Sequence, residues 1–390
     1  MSTVPYELIA AIVDELEDDR ASLRSCSLVG RLFCSPSQRH LFRSMWLHRE
    51  NWPFYTAFEQ TLQQGSIIPS GKIKRVSSLL SESPHLATYV RDLTIDLPDS
   101  ADEDMPLARV LDAVANLERF VLSGLVVRWG DLSLPLSSAI LDALARPTLE
   151  RLHLVSVRDV PASALLGVLS SVKVLSLPHS TFGEEDTPAE DAPPPPASPL
   201  EHLILSAALT LQPILSPRAP KLLKVRRLHM QLEEIGTSHC QRLFSMVCRT
   251  LTNFELDSEG VLFNPQLPNL PQLQSITLHI SWGLLRRIPP GFANTLAGLP
   301  TVPLTVIFSI ESRLSEGPWI GSDTVLDEDY SLKALHCQLV FVNPTHASLL
   351  ALRNTAFEEF CIAVRAALPK VPIEFSRVDD EGWPYTRRLP

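Results

Sequence analysis

An apolar-x-x-apolar-x-apolar pattern recurs through this chain, and no other feature constrains its fold as tightly. YVRDLTIDL places Val90, Leu93 and Ile95 in the pattern, NLERFVLSG places Leu117, Phe120 and Leu122, and TLERLHLVS places Leu149, Leu152 and Leu154. SVKVLSLPH continues it with Val172, Leu175 and Leu177, PLEHLILSA with Leu200, Leu203 and Leu205, and KVRRLHMQL with Val225, Leu228 and Met230. TLTNFELDS adds Leu251, Phe254 and Leu256, and QLQSITLHI adds Leu273, Ile276 and Leu278; SLKALHCQL, with Leu332, Leu335 and Cys337, reads as a late copy. Successive copies start roughly 22 to 32 residues apart, which overlaps the period of leucine-rich repeats but is less regular. The last two apolar residues of each copy alternate as a strand requires, and intervening stretches such as LSSAILDALA carry helical spacing. One such unit cannot bury its apolar edge alone, so neighbours must stack.

The front of the chain has a different texture. Leu8, Ile9, Ile12, Val13 and Leu16 recur on one helical face behind Pro5, a residue suited to a first helical turn. Asp19 can cap a second helix through Leu23, Cys26, Val29 and Phe33, and Ser35, Pro36 and Gln38 have the spacing to open a third through Leu41, Phe42 and Met45. The expected class is therefore α/β, with a small N-terminal three-helix module over 1–50 and a helical linker over 51–88, where Phe54 to Leu62 and Val76 to Leu80 have helical spacing. An irregular leucine-rich-repeat solenoid over 89–342 follows. A C-terminal capping helix is expected within 343–375, on Leu349, Leu352, Phe360 and Val364, and a flexible tail over 376–390. The acidic, proline-rich stretch GEEDTPAEDAPPPPASP, 183–199, has the composition of a loop that packs as neither helix nor strand.

Charge and cysteine usage narrow the function classes. A formal net charge of −10 opposes general binding to nucleic acid or anionic membranes, both of which are driven by basic charge. The start MSTVPYE lacks the features of a signal peptide, and no apolar run reaches the roughly 20 residues that cross a bilayer. Six scattered cysteines without a CxxC pair read as reduced thiols, which points to the cytoplasm or nucleus. No phosphate-binding loop, nucleophile elbow or zinc-protease motif occurs, so no enzyme activity and no cofactor are expected.

With these residues in view, the front segment resembles an F-box, in the divergent form common in mushroom-type fungal proteins. The resemblance rests on Pro5, Glu7, Leu8, Ile12, Leu16 and Leu23, the run Cys26, Ser27, Leu28, Val29, then Arg31, Phe33, Leu41 and Phe42; SPHLATYVRDLTI, 83–95, extends it. Gly30 stands where that family often has cysteine, and Phe33 where it often has tryptophan. The resemblance implies a substrate-receptor subunit of a cullin–RING (SCF-type) ubiquitin ligase. Such a subunit binds a Skp-type adaptor, and through it cullin, and presents a protein target on its repeats. Pro5, Leu8, Ile12, Leu16, Leu23, Leu28, Val29 and Phe33 are the residues it assigns to the adaptor. The alternative is an interaction scaffold with the same repeats acting outside a ligase.

In a leucine-rich repeat the residues just before the fourth and sixth letters of each motif line the face opposite the core. Here they include Arg119, Arg151, His153, His202, Arg227, His229 and, more distantly, His336, a basic band on an acidic protein. Such a band suits an acidic or phosphorylated target segment, although a plain solvated sheet face would also carry these residues. His153, His229 and His336 share one register, but strand spacings of roughly 4.8 Å put them too far apart for one metal ion.

Overall fold

The computed structural model describes residues 4–48, 66–69, 73–97, 101–124, 127–183, 198–205, 211–216, 219, 221–232, 237–259, 270–282, 304–311, 335–342, 358, 361–362, 364–365, 373–378 and 384–387. They fall in two compact units, Met1–Pro195 and Pro196–Pro390. The sequence-based expectations for 54–62 and 343–357, and for all but the ends of the 183–199 loop, lie outside the described residues.

The N-terminal unit opens with helices α1 (Tyr6–Asp14), α2 (Arg20–Val29) and α3 (Arg31–Arg43). Asp19 caps α2 as its position suggests: Oδ1 accepts from the backbone N–H of Ala21 and Ser22 at 3.1 and 3.0 Å, and the Ser22 hydroxyl donates to Oδ2 at 2.6 Å. The third helix starts earlier than the Ser35–Pro36 signal indicates. It begins behind Gly30, and Pro36 is buried inside it. Gly30 has an extended backbone, φ 175 and ψ 166, and breaks the run between α2 and α3. Two side chains tie the helices together: Arg20 donates to the Leu41 carbonyl at 2.9 Å, and His40 Nε2 lies 2.6 Å from Asp14 Oδ1.

From α3 the chain runs without a break into strand β1 (Ser44–His48). There follow β2 (Ser66–Pro69), α4 (Ile73–Glu82), α5 (Pro84–Ala87), β3 (Asp92–Asp96), α6 (Asp104–Ala113), β4 (Arg119–Ser123), α7 (Leu134–Leu144), β5 (Arg151–Val155), α8 (Ala162–Leu169) and β6 (Val174–Leu177). Within this unit the strands lie in the order β2-β1-β3-β4-β5-β6, all parallel. From β2 to β6, helices occupy the crossovers that parallel neighbours require, and they pack in sequence, α4 on α6, α6 on α7 and α7 on α8.

The C-terminal unit contains β7 (His202–Leu205), α9 (Leu211–Ile214), β8 (Arg227–Leu232), α10 (Thr237–Val247), β9 (Asn253–Glu259), β10 (Ser275–Trp282), β11 (Leu304–Glu311), β12 (Leu335–Val342), β13 (Ile373–Val378) and β14 (Pro384–Arg387). Strands β7 to β13 are parallel and adjacent in sequence order, and β14 turns back antiparallel on β13.

The eight motif copies from Val90 to Leu278 each place their fourth to sixth letters on a strand, and all their apolar positions are buried, none more than 7 % exposed. These side chains and the buried faces of the crossover helices form the core; Phe244 of α10 meets Phe254 of β9 edge-on, with ring centroids 5.2 Å apart. Within each unit, successive copies also start their strands in the same way, on β4 to β6 and on β8 to β10. The second-letter carbonyl of one copy accepts two N–H groups from the next. Arg91 O accepts from Glu118 and Arg119 at 2.8 and 3.0 Å, Glu118 O from Glu150 and Arg151 at 2.8 and 3.0 Å, and Glu150 O from Lys173 and Val174 at 2.8 and 3.1 Å. In the C-terminal unit Glu201, Arg226 and Thr252 repeat the arrangement. Thr148 and Thr250, each just before its motif, donate at 2.8 Å to the first-letter carbonyls of the preceding copies, Leu117 and Val225.

This topology corrects the expected division of the chain. Register pairs Met45 with Leu93 and Leu47 with Ile95, so Phe42, Met45 and Leu47 in FRSMWL occupy the repeat positions, and the Arg43 carbonyl accepts the Arg91 N–H at 2.8 Å as the later copies do. The N-terminal helices thus feed straight into the sheet of their own unit, and there is no separate three-helix module ending at residue 50. The α/β class stands; its division into helical module, solenoid and helical cap does not. At the other end, Glu358, Cys361, Ile362, Val364 and Arg365 are helical, but the sheet continues past them through β13 into β14, where a capping helix and a tail are expected. No helix among the described residues is long and apolar enough to cross a membrane.

Candidate functional site

Two surfaces carry the residues singled out from the sequence. The first lies on the N-terminal helices. On α1, Ile9 and Val13 point inward at 4 % and 0 % exposure, while Leu8 and Ile12, one turn apart on the other side, are 56 % and 57 % exposed. Pro5 and Tyr6 at the head of α1 are exposed too. At the junction of α2 and α3, Leu28, Val29 and Leu32 are 86 %, 72 % and 54 % exposed. Of the other adaptor candidates, Leu16 and Phe33 are half-buried, and Leu23 is fully buried and serves the helical core. Single exposed leucines are ordinary; this many on three adjoining short helices are not. Burying each of them against a partner is worth about 1.5–3 kcal/mol.

The second surface is the sheet face opposite the leucine core, built from third, fifth and seventh motif letters. In the N-terminal unit Asp92, Arg119 and Arg151 stand side by side on β3, β4 and β5, and His153 is half-buried on β5 between Val121 and Ser176. Burial pushes the Asp92 carboxyl up, against the pull of Arg119 and Arg43, and pushes the Arg119 guanidinium down. In the C-terminal unit His202 pairs in register with Arg227, and His229 with Glu255. His229 Nε2 lies 2.8 Å from Asp257 Oδ2, its Nδ1 lies 3.7 Å from Glu255 Oε2, and its ring stacks on His279 of β10 with centroids 6.1 Å apart. The expected basic band is therefore interleaved with acids: Asp92 in one unit, Glu255 and Asp257 in the other. Asp257 and His279 fall on the seventh letter, one alternation beyond the positions named from the sequence. The side chain of His336 lies outside the described residues. Among the described residues no group of three or more histidine, cysteine or acidic side chains is arranged to hold a metal ion.

The histidines of this cluster titrate in opposite senses. Burial lowers His229, but the hydrogen bond and charge of Asp257, helped by Glu255, outweigh it and hold the ring above the ordinary 6.5. Burial dominates at His202 and His279 and puts both below 6.5, despite Glu255 beside the first and Asp257 beside the second. The stabilising contribution of His229 is complete below 6.5 and is lost as pH rises through its folded value. For His202 and His279 the unfolded chain takes up protons first, so stability falls as pH drops from 6.5 through their folded values. Unfolding of the C-terminal unit in urea should thus show greatest resistance near pH about 6.5, and His229→Gln should flatten the decline on the alkaline side. An equal alkaline decline in that variant sinks the assignment.

Cys26, Cys34, Cys240 and Cys248 are free thiols, and Cys240 and Cys361 are buried; burial pushes the Cys240 thiol up to about 11, which keeps it protonated and unreactive. No protein-family model matches the chain, and no curated protein matches it.

Proposed function

We propose that the chain is a non-catalytic substrate-receptor subunit of an SCF-type ubiquitin ligase, in which the N-terminal helices act as an F-box-like segment. In this reading they bind a Skp-type adaptor and, through it, cullin, while the polar sheet face receives a protein target. The observation that carries the reading is the exposed apolar set Leu8, Ile12, Leu28, Val29 and Leu32, which water disfavours and an apolar partner surface would cover. The set lies on helices while the polar face is built by strands, so the two surfaces use different residues. Pro5, Leu16 and Phe33 flank the set; Leu23 supports it from the core.

The test is capture of a purified Skp-type adaptor by the full chain and by the double variant Leu8→Asp, Val29→Asp. Both positions are exposed, so the variant should keep its unfolding free energy to within about 0.5 kcal/mol per site. Capture should fall by at least about 100-fold, because two charges would enter an apolar contact. Capture unchanged by the double substitution overturns the adaptor surface. A wild-type chain that captures no adaptor is instead the scaffold acting outside a ligase.

A further inference from the structure

The N-terminal edge of the first unit's sheet concentrates positive charge on a chain that is acidic overall. Asp92, Arg119 and Arg151 occupy one register row, Ser44 pairs with Asp92 in the same row, and Arg43 precedes it. Arg43 and Arg151 are exposed and Arg119 is half-buried. Arg119 Nε is buried without a hydrogen-bond partner, and among the described residues no carboxylate lies within 4.0 Å of the charged nitrogens of Arg43, Arg119 or Arg151. A buried guanidinium N–H with no acceptor costs free energy in the folded chain, so Arg119 is held in a place where the fold leaves part of its hydrogen-bonding capacity unused.

We propose that Arg119 and Arg151, with Arg43 at the rim, form a binding site for a phosphate group. Charge selects phosphate over a single carboxylate. Three guanidinium groups face Asp92, while nearby Glu118 is held by Arg91 at 3.4 Å, which leaves about two positive charges for the dianion to meet. Spacing agrees with this choice. Arg119 and Arg151 start from adjacent parallel strands, roughly 4.8 Å apart, so two planar forks can grip different oxygens of one phosphate. Burial already opposes the charges of both Arg119 and Asp92; a dianion at Arg119 stabilises its charged form, and protonation of Asp92, which burial favours, removes that carboxylate's repulsion.

The same chemistry could be offered by free phosphate or by a phosphorylated segment of a target protein. The inference deepens the target-face reading above and rests on it only for the second source. Inorganic phosphate, a peptide carrying one phosphoserine and its unphosphorylated twin are each titrated into the full-length chain at constant ionic strength, with binding read by phosphorus NMR line broadening and by calorimetry. Phosphate and the phosphopeptide should bind and the unphosphorylated twin should not. Arg151→Gln, at an exposed position that leaves the core untouched, should weaken binding at least about tenfold, and Arg119→Gln by as much or more. Tighter binding of the phosphopeptide than of phosphate identifies a protein target as the source; the reverse order identifies a small phosphate ligand. No binding of phosphate or phosphopeptide to the wild-type chain overturns the site, as does equal binding by Arg151→Gln. Adaptor capture is measured on the same Arg151→Gln sample and should be unchanged, so failure of the adaptor surface and failure of the phosphate site are told apart.

Discussion

Phe254→Ala should destabilise the C-terminal unit by about 3–5 kcal/mol, among the largest single effects expected in this chain. Phe254 fills the fourth letter of its motif near the start of β9, is 2 % exposed, and meets Phe244 of α10 edge-on with ring planes at 81°. Alanine there removes the transfer free energy of a whole ring and leaves a cavity lined by Phe244 and neighbouring strand side chains that cannot all collapse inward. The edge-on pair contributes a further ~1 kcal/mol that Phe254→Leu would also lose. The effect should be read by urea unfolding and by hydrogen exchange, where amides of β8, β9 and β10 lose protection first. A loss below about 1 kcal/mol would show that the ring does not occupy this packing.

Arg146→Ala should cost the N-terminal unit about 2–3 kcal/mol although no apolar core is touched. Arg146 follows α7, and its guanidinium reaches back one repeat to the end of α6, where Nη2 donates to the Leu111 carbonyl at 2.7 Å and Nη1 to the Val114 carbonyl. The last carbonyls of a helix have no partner within it, so removing the arginine leaves two partly buried acceptors without a donor. Burial lowers the Arg146 pKa, and Asp112 and Asp142 work against that shift, so the side chain is held charged in a half-dry site. Arg146→Lys keeps the charge but has no planar fork to serve two carbonyls, and should recover less than half of the loss. Equal stability of lysine and arginine at this position would reduce the interaction to charge alone.

Much of the fold is legible in the sequence because burying one strand edge demands a fixed spacing, and that spacing survives wherever the first letter is apolar. Register puts Leu304 and Val306 opposite Ile276 and Leu278, yet the letter three residues before Leu304 is Thr301, so β11 escapes the pattern. Strand β13 escapes it for the same reason, with Lys370 three residues before Ile373. FRSMWL is hidden differently. Phe42 and Met45 also fit the helical face that precedes them, and only pairing with β3 separates the two periods. The start of α3 is misplaced because Ser35 and Pro36 form a capping signal that the helix overrides. At the sheet face, Arg119, Arg151, His202, Arg227 and His229 follow from alternation alone. Arg43 required FRSMWL to be recognised, and Asp257 and His279 required one more alternation along the strand. That Leu23 is core while Leu28 and Val29 are exposed depends on how α2 rolls against α3, which helical spacing does not specify.

The paired N–H donors at each second-letter carbonyl bear on how such a chain tolerates change. Within each unit the copies on β4 to β6 and on β8 to β10 enter their strands from the same mark, whatever the length of the return path that brought them there. Residues gained or lost in a crossover are absorbed before the mark, so the drift in repeat length never propagates into the register of the next strand. The ladder thus resets the count at each turn. It lets the outer connections diverge freely while the side chains of the opposite face stay in aligned rows, which is the condition for residues from different repeats, such as Arg119 and Arg151, to address one ligand.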